Sequence, residues 1–77
     1  MTEQGEILFM QTRVIRLAAE RWGITVQKAS RIFERYDLLK FIKDGYGIFH
    51  TEGDEVVLDE VEEVLKNKGV DVHEEVK

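Results

Sequence analysis

The sequence predicts an all-α (mostly α) fold, a compact domain of three or four helices. Apolar residues recur at intervals of three and four along most of the chain, which is the spacing of one helix face. Gly23 and Gly69 follow two of these stretches, and residues that commonly cap helices precede the others. We therefore expect four helices, near residues 6–22, 26–36, 37–51 and 59–68.

The first of these segments predicts a helix with a wide apolar face. The face consists of Ile7, Met10, Val14, Leu17, Ala18 and Trp22, and it is widened by Leu8 and Ile15. Gly23 is the expected end of this helix, because glycine readily takes the left-handed conformation that follows a helix C-terminus.

Thr25 and Asp37 are the expected N-caps of the second and third helices, since their side-chain oxygens can accept hydrogen bonds from the first turn. The buried face of the second helix is predicted to hold Val26, Ala29, Ile32, Phe33 and Tyr36. That of the third is predicted to hold Leu38, Phe41 and Ile42. About two or three residues separate the first two helices, so we expect them to pack as a helical hairpin or at a steep angle.

The length of the third helix is the open question of the fold. Gly45 and Gly47 each cost about 1 kcal/mol relative to alanine inside a helix, which favours a break. The apolar spacing nevertheless keeps helical phase as far as Phe49, so we expect the helix to continue to about Thr51. In the alternative interpretation, residues 48–58 form a short β-hairpin.

The fourth helix has the clearest predicted boundaries. Asp59 followed by Glu62 resembles a capping box, Lys66 and Lys68 fill the last turn, and Gly69 ends it. Its buried face is predicted to hold Val61, Val64 and Leu65.

A length of 77 residues allows one domain, so we take residues 1–77 as a single helical domain with its core in residues 6–69. The tail, residues 70–77, is expected to be a frayed end or a short strand. The chain has no cysteine, a start unlike a signal peptide, and no apolar run of about 18 residues that could span a membrane. We therefore predict a cytoplasmic protein without a membrane interaction.

The net charge of −5 argues against binding to nucleic acid, because that affinity comes largely from neutralised phosphates. The region 11–43 is locally basic, however, and its second helix follows a glycine-containing turn as in a helix-turn-helix. The alternative function is therefore a small DNA-binding regulator. Its binding residues would be Gln27, Lys28, Arg31 and Arg35.

The sequence contains no catalytic pattern, and we predict no enzyme activity and no cofactor. Ser30 is the only serine, and no histidine lies near it in sequence. His50 and His73 each have acidic neighbours, but at spacings that match neither a zinc helix nor a calcium loop, so no metal site is predicted. We expect His50 to be partly buried, with a ring nitrogen bonded to a nearby backbone or side-chain group.

Residues 36–55 contain four of the seven aromatic residues, and this concentration predicts a surface for a protein partner. One helix face in so small a domain cannot bury them all, and exposed aromatic residues commonly mark interfaces. The predicted partner-binding residues are Tyr46, Phe49, His50 and Thr51. In the alternative, the aromatic residues form only the core. Whether the domain also forms a homo-oligomer is left open.

Three segments, GITVQKASRIFERYDLLKFI, IFHT and VVLDEVEEVL, carry a resemblance that covers nearly the whole chain. The chain resembles a family of very short bacterial proteins known only as a domain of unknown function. The resemblance implies a partner encoded nearby, an ADP-ribosyltransferase-like toxin, and an antitoxin-like or adaptor role. Gly45 and Gly47 depart from the family pattern, in which helical residues are more usual. We thus predict a non-catalytic, cytoplasmic protein–protein interaction module.

Overall fold

The computed structural model describes residues 3–75, which fold into five helices with no β-strand among them. The helices are α1 (Glu3–Trp22), α2 (Val26–Arg35), α3 (Leu38–Phe49), α4 (Asp54–Asn67) and α5 (Val72–Glu75). The all-α prediction is confirmed, and the alternative hairpin over residues 48–58 is wrong.

The longest helix, α1, is the centre of the fold, because α2, α3 and α4 all pack against it. Met10, Val14 and Ala18 are buried at these contacts, as predicted. Leu8 was predicted to widen the buried face, but it is 63% exposed. It lies on the side of α1 that faces away from the three packed helices.

The turn between α1 and α2 forms as predicted. Gly23 has a positive φ of 67°, and the N–H of Ile24 donates to the carbonyl oxygen of Ala19 at 3.0 Å. The hydroxyl of Thr25 accepts a hydrogen bond from the N–H of Lys28 at 3.1 Å, which caps α2. The prediction that Val26 is buried is wrong: it lies in the first turn of α2 and is 46% exposed.

Asp37 joins α2 to α3 by its backbone conformation instead of by a capping side chain. Its φ of 56° and ψ of 34° are left-handed, and its carboxylate makes no capping hydrogen bond to α3. Aspartate is one of the few residues that tolerate this conformation. The position of the helix start was therefore predicted correctly, but the mechanism was not.

The third helix continues through both of its glycines, as its apolar phase predicted. It buries Leu38, Ile42 and Phe49, and it ends at Phe49, two residues before the predicted end. A difference of this size is ordinary for a helix end.

The predicted start of the fourth helix is wrong by five residues, since α4 begins at Asp54 after Gly53. Val57 and Leu58 are fully buried, so the apolar stripe starts one turn earlier than Val61. Asp59 lies inside the helix, where it accepts a hydrogen bond from Arg21 and caps nothing.

The tail forms the short helix α5 over residues 72–75, and the prediction of a frayed end or strand is wrong there. The carboxylate of Glu75 accepts hydrogen bonds from the Tyr36 hydroxyl at 2.7 Å and from Nη1 of Arg35 at 2.9 Å. Val70 and Val72 pack against the core, which therefore extends past residue 69. Residues 76 and 77 of the predicted tail lie outside the described residues.

Candidate partner-binding groove

An open groove of about 400 Å³ lies between the N-terminal half of α1 and the C-terminal end of α3. We call it the aromatic groove. Its lining residues are Glu6, Phe9, Met10, Arg13, Tyr46, His50 and Glu52. Tyr46 and His50, two of the four predicted partner-binding residues, are therefore brought together here.

Tyr46 and His50 lie one helical turn apart on α3, and their rings stack. The ring centroids are 5.3 Å apart and the planes differ by 24°. The Nδ1 atom of His50 lies 2.9 Å from the carbonyl oxygen of Tyr46 and donates to it, so this nitrogen carries the proton in the neutral ring. The predicted bond to a backbone group is confirmed, whereas His50 is exposed and the prediction of partial burial is wrong.

Polar contacts fix the walls of the aromatic groove. The hydroxyl of Tyr46 donates to Oε2 of Glu6 at 3.0 Å, which ties α3 to α1. Nε of Arg13 donates to Oδ2 of Asp54 at 2.9 Å, which ties α1 to the start of α4. Partial burial raises the pKa of Tyr46 above its ordinary value, and the hydrogen bond to Glu6 raises it further. The tyrosine is therefore a neutral donor at physiological pH.

The other two predicted residues lie elsewhere. Phe49 is only 8% exposed, and its ring lies 5.4 Å from that of Phe41 in the core. The Phe49 ring is therefore almost wholly covered by the domain itself. Thr51 is exposed, but its hydroxyl donates to the carbonyl oxygen of Ile48 at 2.7 Å and it does not line the aromatic groove.

Phe9 is the aromatic residue of the groove that the sequence-based prediction did not include. Its side chain is 56% exposed, between Leu8 and the buried Met10. The signal was present in the sequence, because Phe9 falls outside the apolar stripe through Met10 and Val14. An aromatic residue on the polar side of an amphipathic helix has no place in the core.

No group of three or more histidine, aspartate or glutamate side chains in residues 3–75 is arranged to hold a metal ion. None of the described helices is long and apolar enough to cross a membrane.

The residues of the DNA-binding alternative lie on the exposed side of α2. Lys28, Arg31 and Arg35 follow one another at helical spacing and line a small depression together with Glu75. Hydrogen bonding to Glu75 raises the pKa of Arg35 above its ordinary value. Glu75 therefore already supplies one of these cations with an anionic partner.

Residues 9–68 match the family described as Protein of unknown function (DUF3791). The chain belongs to the DUF3791 family. The match spans α2, α3, α4 and most of α1, and it includes Phe9, Tyr46 and His50, whereas α5 lies beyond it. The three segments on which the resemblance was based all fall inside the matched DUF3791 region. No curated protein and no solved structure matches the chain.

Proposed function

We propose that this DUF3791 protein is a non-catalytic protein–protein interaction module that binds its partner in the aromatic groove. The observation that carries the proposal is the stacked pair of Tyr46 and His50 beside the exposed ring of Phe9. Aromatic side chains are the commonest anchors of protein interfaces, and a soluble domain rarely leaves several together without a function.

The rigidity of the groove supports this role. Tyr46 is held by Glu6 and His50 by the backbone of α3, so binding costs little side-chain entropy. Glu6 and Arg13 place opposite charges at the edge of the rings. An apolar centre with a polar rim is the usual arrangement of an interface.

The partner that we propose is the product of a neighbouring gene, an ADP-ribosyltransferase-like toxin. The family resemblance is the reason for this choice. In this proposal the domain acts in the bacterial cytoplasm, either as an antitoxin that blocks the enzyme or as an adaptor that positions it.

Co-expression with the products of the adjacent genes tests the proposal. The complex is purified, and its dissociation constant is compared for the wild-type chain, Phe9→Ala and Tyr46→Ala. Ile48→Ala is the matched control, because Ile48 is 68% exposed on another side of α3 and does not line the groove. We expect the two groove variants to bind at least about tenfold more weakly and the control to bind normally. Equal effects of all three changes would place the interface elsewhere.

The second candidate function, a DNA-binding regulator, is supported by Lys28 and Arg31. Both are exposed on α2, and neither forms an ion pair with another described residue. Duplex DNA at low ionic strength distinguishes the two functions. Retention that falls steeply with salt would support the regulator, and no retention would leave the protein-binding function alone.

A further inference from the structure

The exposed side of α1 next to the aromatic groove carries an apolar patch. Leu8 is 63% and Phe9 is 56% exposed. With their neighbours they line a shallow groove of about 280 Å³, which we call the outer α1 face. Its residues are Gly5, Leu8, Phe9, Thr12, Arg13 and Arg16.

We propose that the outer α1 face binds the same face of a second copy of the chain, with the two α1 helices antiparallel about a twofold axis. The proposed dimer and the aromatic groove share Phe9, Glu6 and Arg13, so a partner bound in the groove would compete with self-association. The proposal rests on the order in which large, small and charged residues follow one another along α1.

The outermost residues of α1 form a line of contact, which we call the seam, along which small and large side chains alternate. Gly5, Phe9, Thr12 and Arg16 are separated by four, three and four residues, the spacing of a helix–helix contact line. When a second α1 runs antiparallel with the axis between residues 10 and 11, Phe9 lies opposite Thr12 of the second copy. Gly5 lies opposite its Arg16. A large side chain therefore meets a small one in every layer.

The charges on one flank of the seam are complementary in the same arrangement. Glu6 and Arg13 are seven residues apart, two helical turns, and so lie on the same flank. The same flanks of two antiparallel helices meet, so Glu6 lies beside Arg13 of the second copy and the twofold axis repeats the pair. Both side chains can still form a further ion pair, because Glu6 binds Tyr46 through Oε2 and Arg13 binds Asp54 through Nε and Nη2.

The opposite flank is apolar at the corresponding positions. Leu8 and the half-buried Ile15 are also seven residues apart, and the twofold arrangement places them beside each other. A parallel arrangement would instead place Arg16 against Arg16. One antiparallel arrangement therefore gives favourable contacts along the seam and along both flanks. A twofold dimer requires this self-complementarity. For this reason a second copy is the occupant that we assign.

Sedimentation equilibrium over a wide range of concentration tests the proposal. One helix face is a small interface, so we expect a dimer of twice the 9.0 kDa chain with a dissociation constant of about 10 to 100 μM. Thr12→Arg should weaken the dimer at least about tenfold, because it places a large side chain opposite Phe9 of the second copy, where a small one is needed. Leu8→Glu should weaken the dimer by at least as much, because it places a charge on the apolar flank. Ile48→Glu is the control, since Ile48 is as exposed as Leu8 but lies on α3. Circular dichroism confirms that each variant is folded.

A charge exchange gives the sharpest result. Glu6→Arg and Arg13→Glu should each weaken self-association about tenfold, because two attractive pairs become repulsive. An equimolar mixture of the two variants restores both pairs and should associate at least as tightly as the wild-type chain. Wild-type chain that stays at 9.0 kDa up to about 1 mM, or a mixture as weak as its components, would overturn the proposal. Glu6 and Arg13 also line the aromatic groove, whereas Leu8 and Thr12 do not, so the Leu8 and Thr12 variants distinguish a failure of this proposal from a failure of the proposed function.

Discussion

Gly45 lies directly beneath the ring of Phe49 in α3. A Cβ atom at position 45 would be 2.5 Å from Cε2 and 2.9 Å from Cδ2 of that ring. The ring is held in the core by Phe41, at a centroid distance of 5.4 Å, so it cannot easily move away. Glycine in the middle of this helix is thus a packing requirement, because only a hydrogen atom fits there.

Substitution of Gly45 by alanine should destabilise the domain although it improves helix propensity. We expect a loss of about 1 to 3 kcal/mol in the free energy of unfolding, since the added methyl group overpacks the core. Gly47→Ala is the matched control, because position 47 is open and should gain up to about 1 kcal/mol. Urea denaturation of both variants measures the difference. Two stabilised variants would show that the ring of Phe49 is free to move.

The early start of α4 predicts that Leu58 is a core residue. Leu58→Ala should cost about 2 to 5 kcal/mol, because the side chain is fully buried. Val56→Ala, two residues earlier, removes a side chain that is 43% exposed and should change the free energy of unfolding by less than about 0.5 kcal/mol. Thermal and urea denaturation check both values. A small loss at Leu58 would favour the later helix start that the sequence suggested.

The anchoring of α5 predicts a measurable pKa. The hydrogen bond to Glu75 raises the pKa of Tyr36 above its ordinary value of 10.0, and burial adds to it. Because the folded-state pKa is raised, this contribution to stability is fully present below pH 10 and is lost as pH rises through the folded pKa. In a Tyr46→Phe chain Tyr36 is the only tyrosine, so an ultraviolet titration of tyrosinate reports it alone. Glu75→Gln should move that pKa back towards its ordinary value, and no change would mean that α5 is not docked.

The features that the sequence predicted correctly are local. The end of α1 at Gly23 and the cap at Thr25 depend on a few consecutive residues, and both form as expected. The start of α4 was missed because Asp59 and Glu62 satisfy a capping pattern by themselves, while their real partner, Arg21, is distant in sequence. Local rules cannot detect a pair that only tertiary packing creates.

The candidate site was predicted in part for the same reason. Tyr46 and His50 are one turn apart, so their stacking follows from helix geometry alone. The burial of Phe49 depends on the space that Gly45 leaves for its ring, and the addition of Phe9 depends on how α1 crosses α3. Helical periodicity places Phe49 on the apolar face of α3 and Phe9 outside that of α1, but the contacts that each ring makes come from packing between helices.

The most direct test of the central claim is to measure stability and partner affinity on the same Tyr46→Ala chain. If the aromatic groove is the binding surface, affinity should fall at least about tenfold in the molecules that remain folded. Phe9→Ala should show the same loss of affinity with little change in unfolding, because more than half of its side chain is exposed. A lower free energy of unfolding for Tyr46→Ala with unchanged affinity would contradict the claim, and the Tyr46 ring would then serve only the packing of the domain.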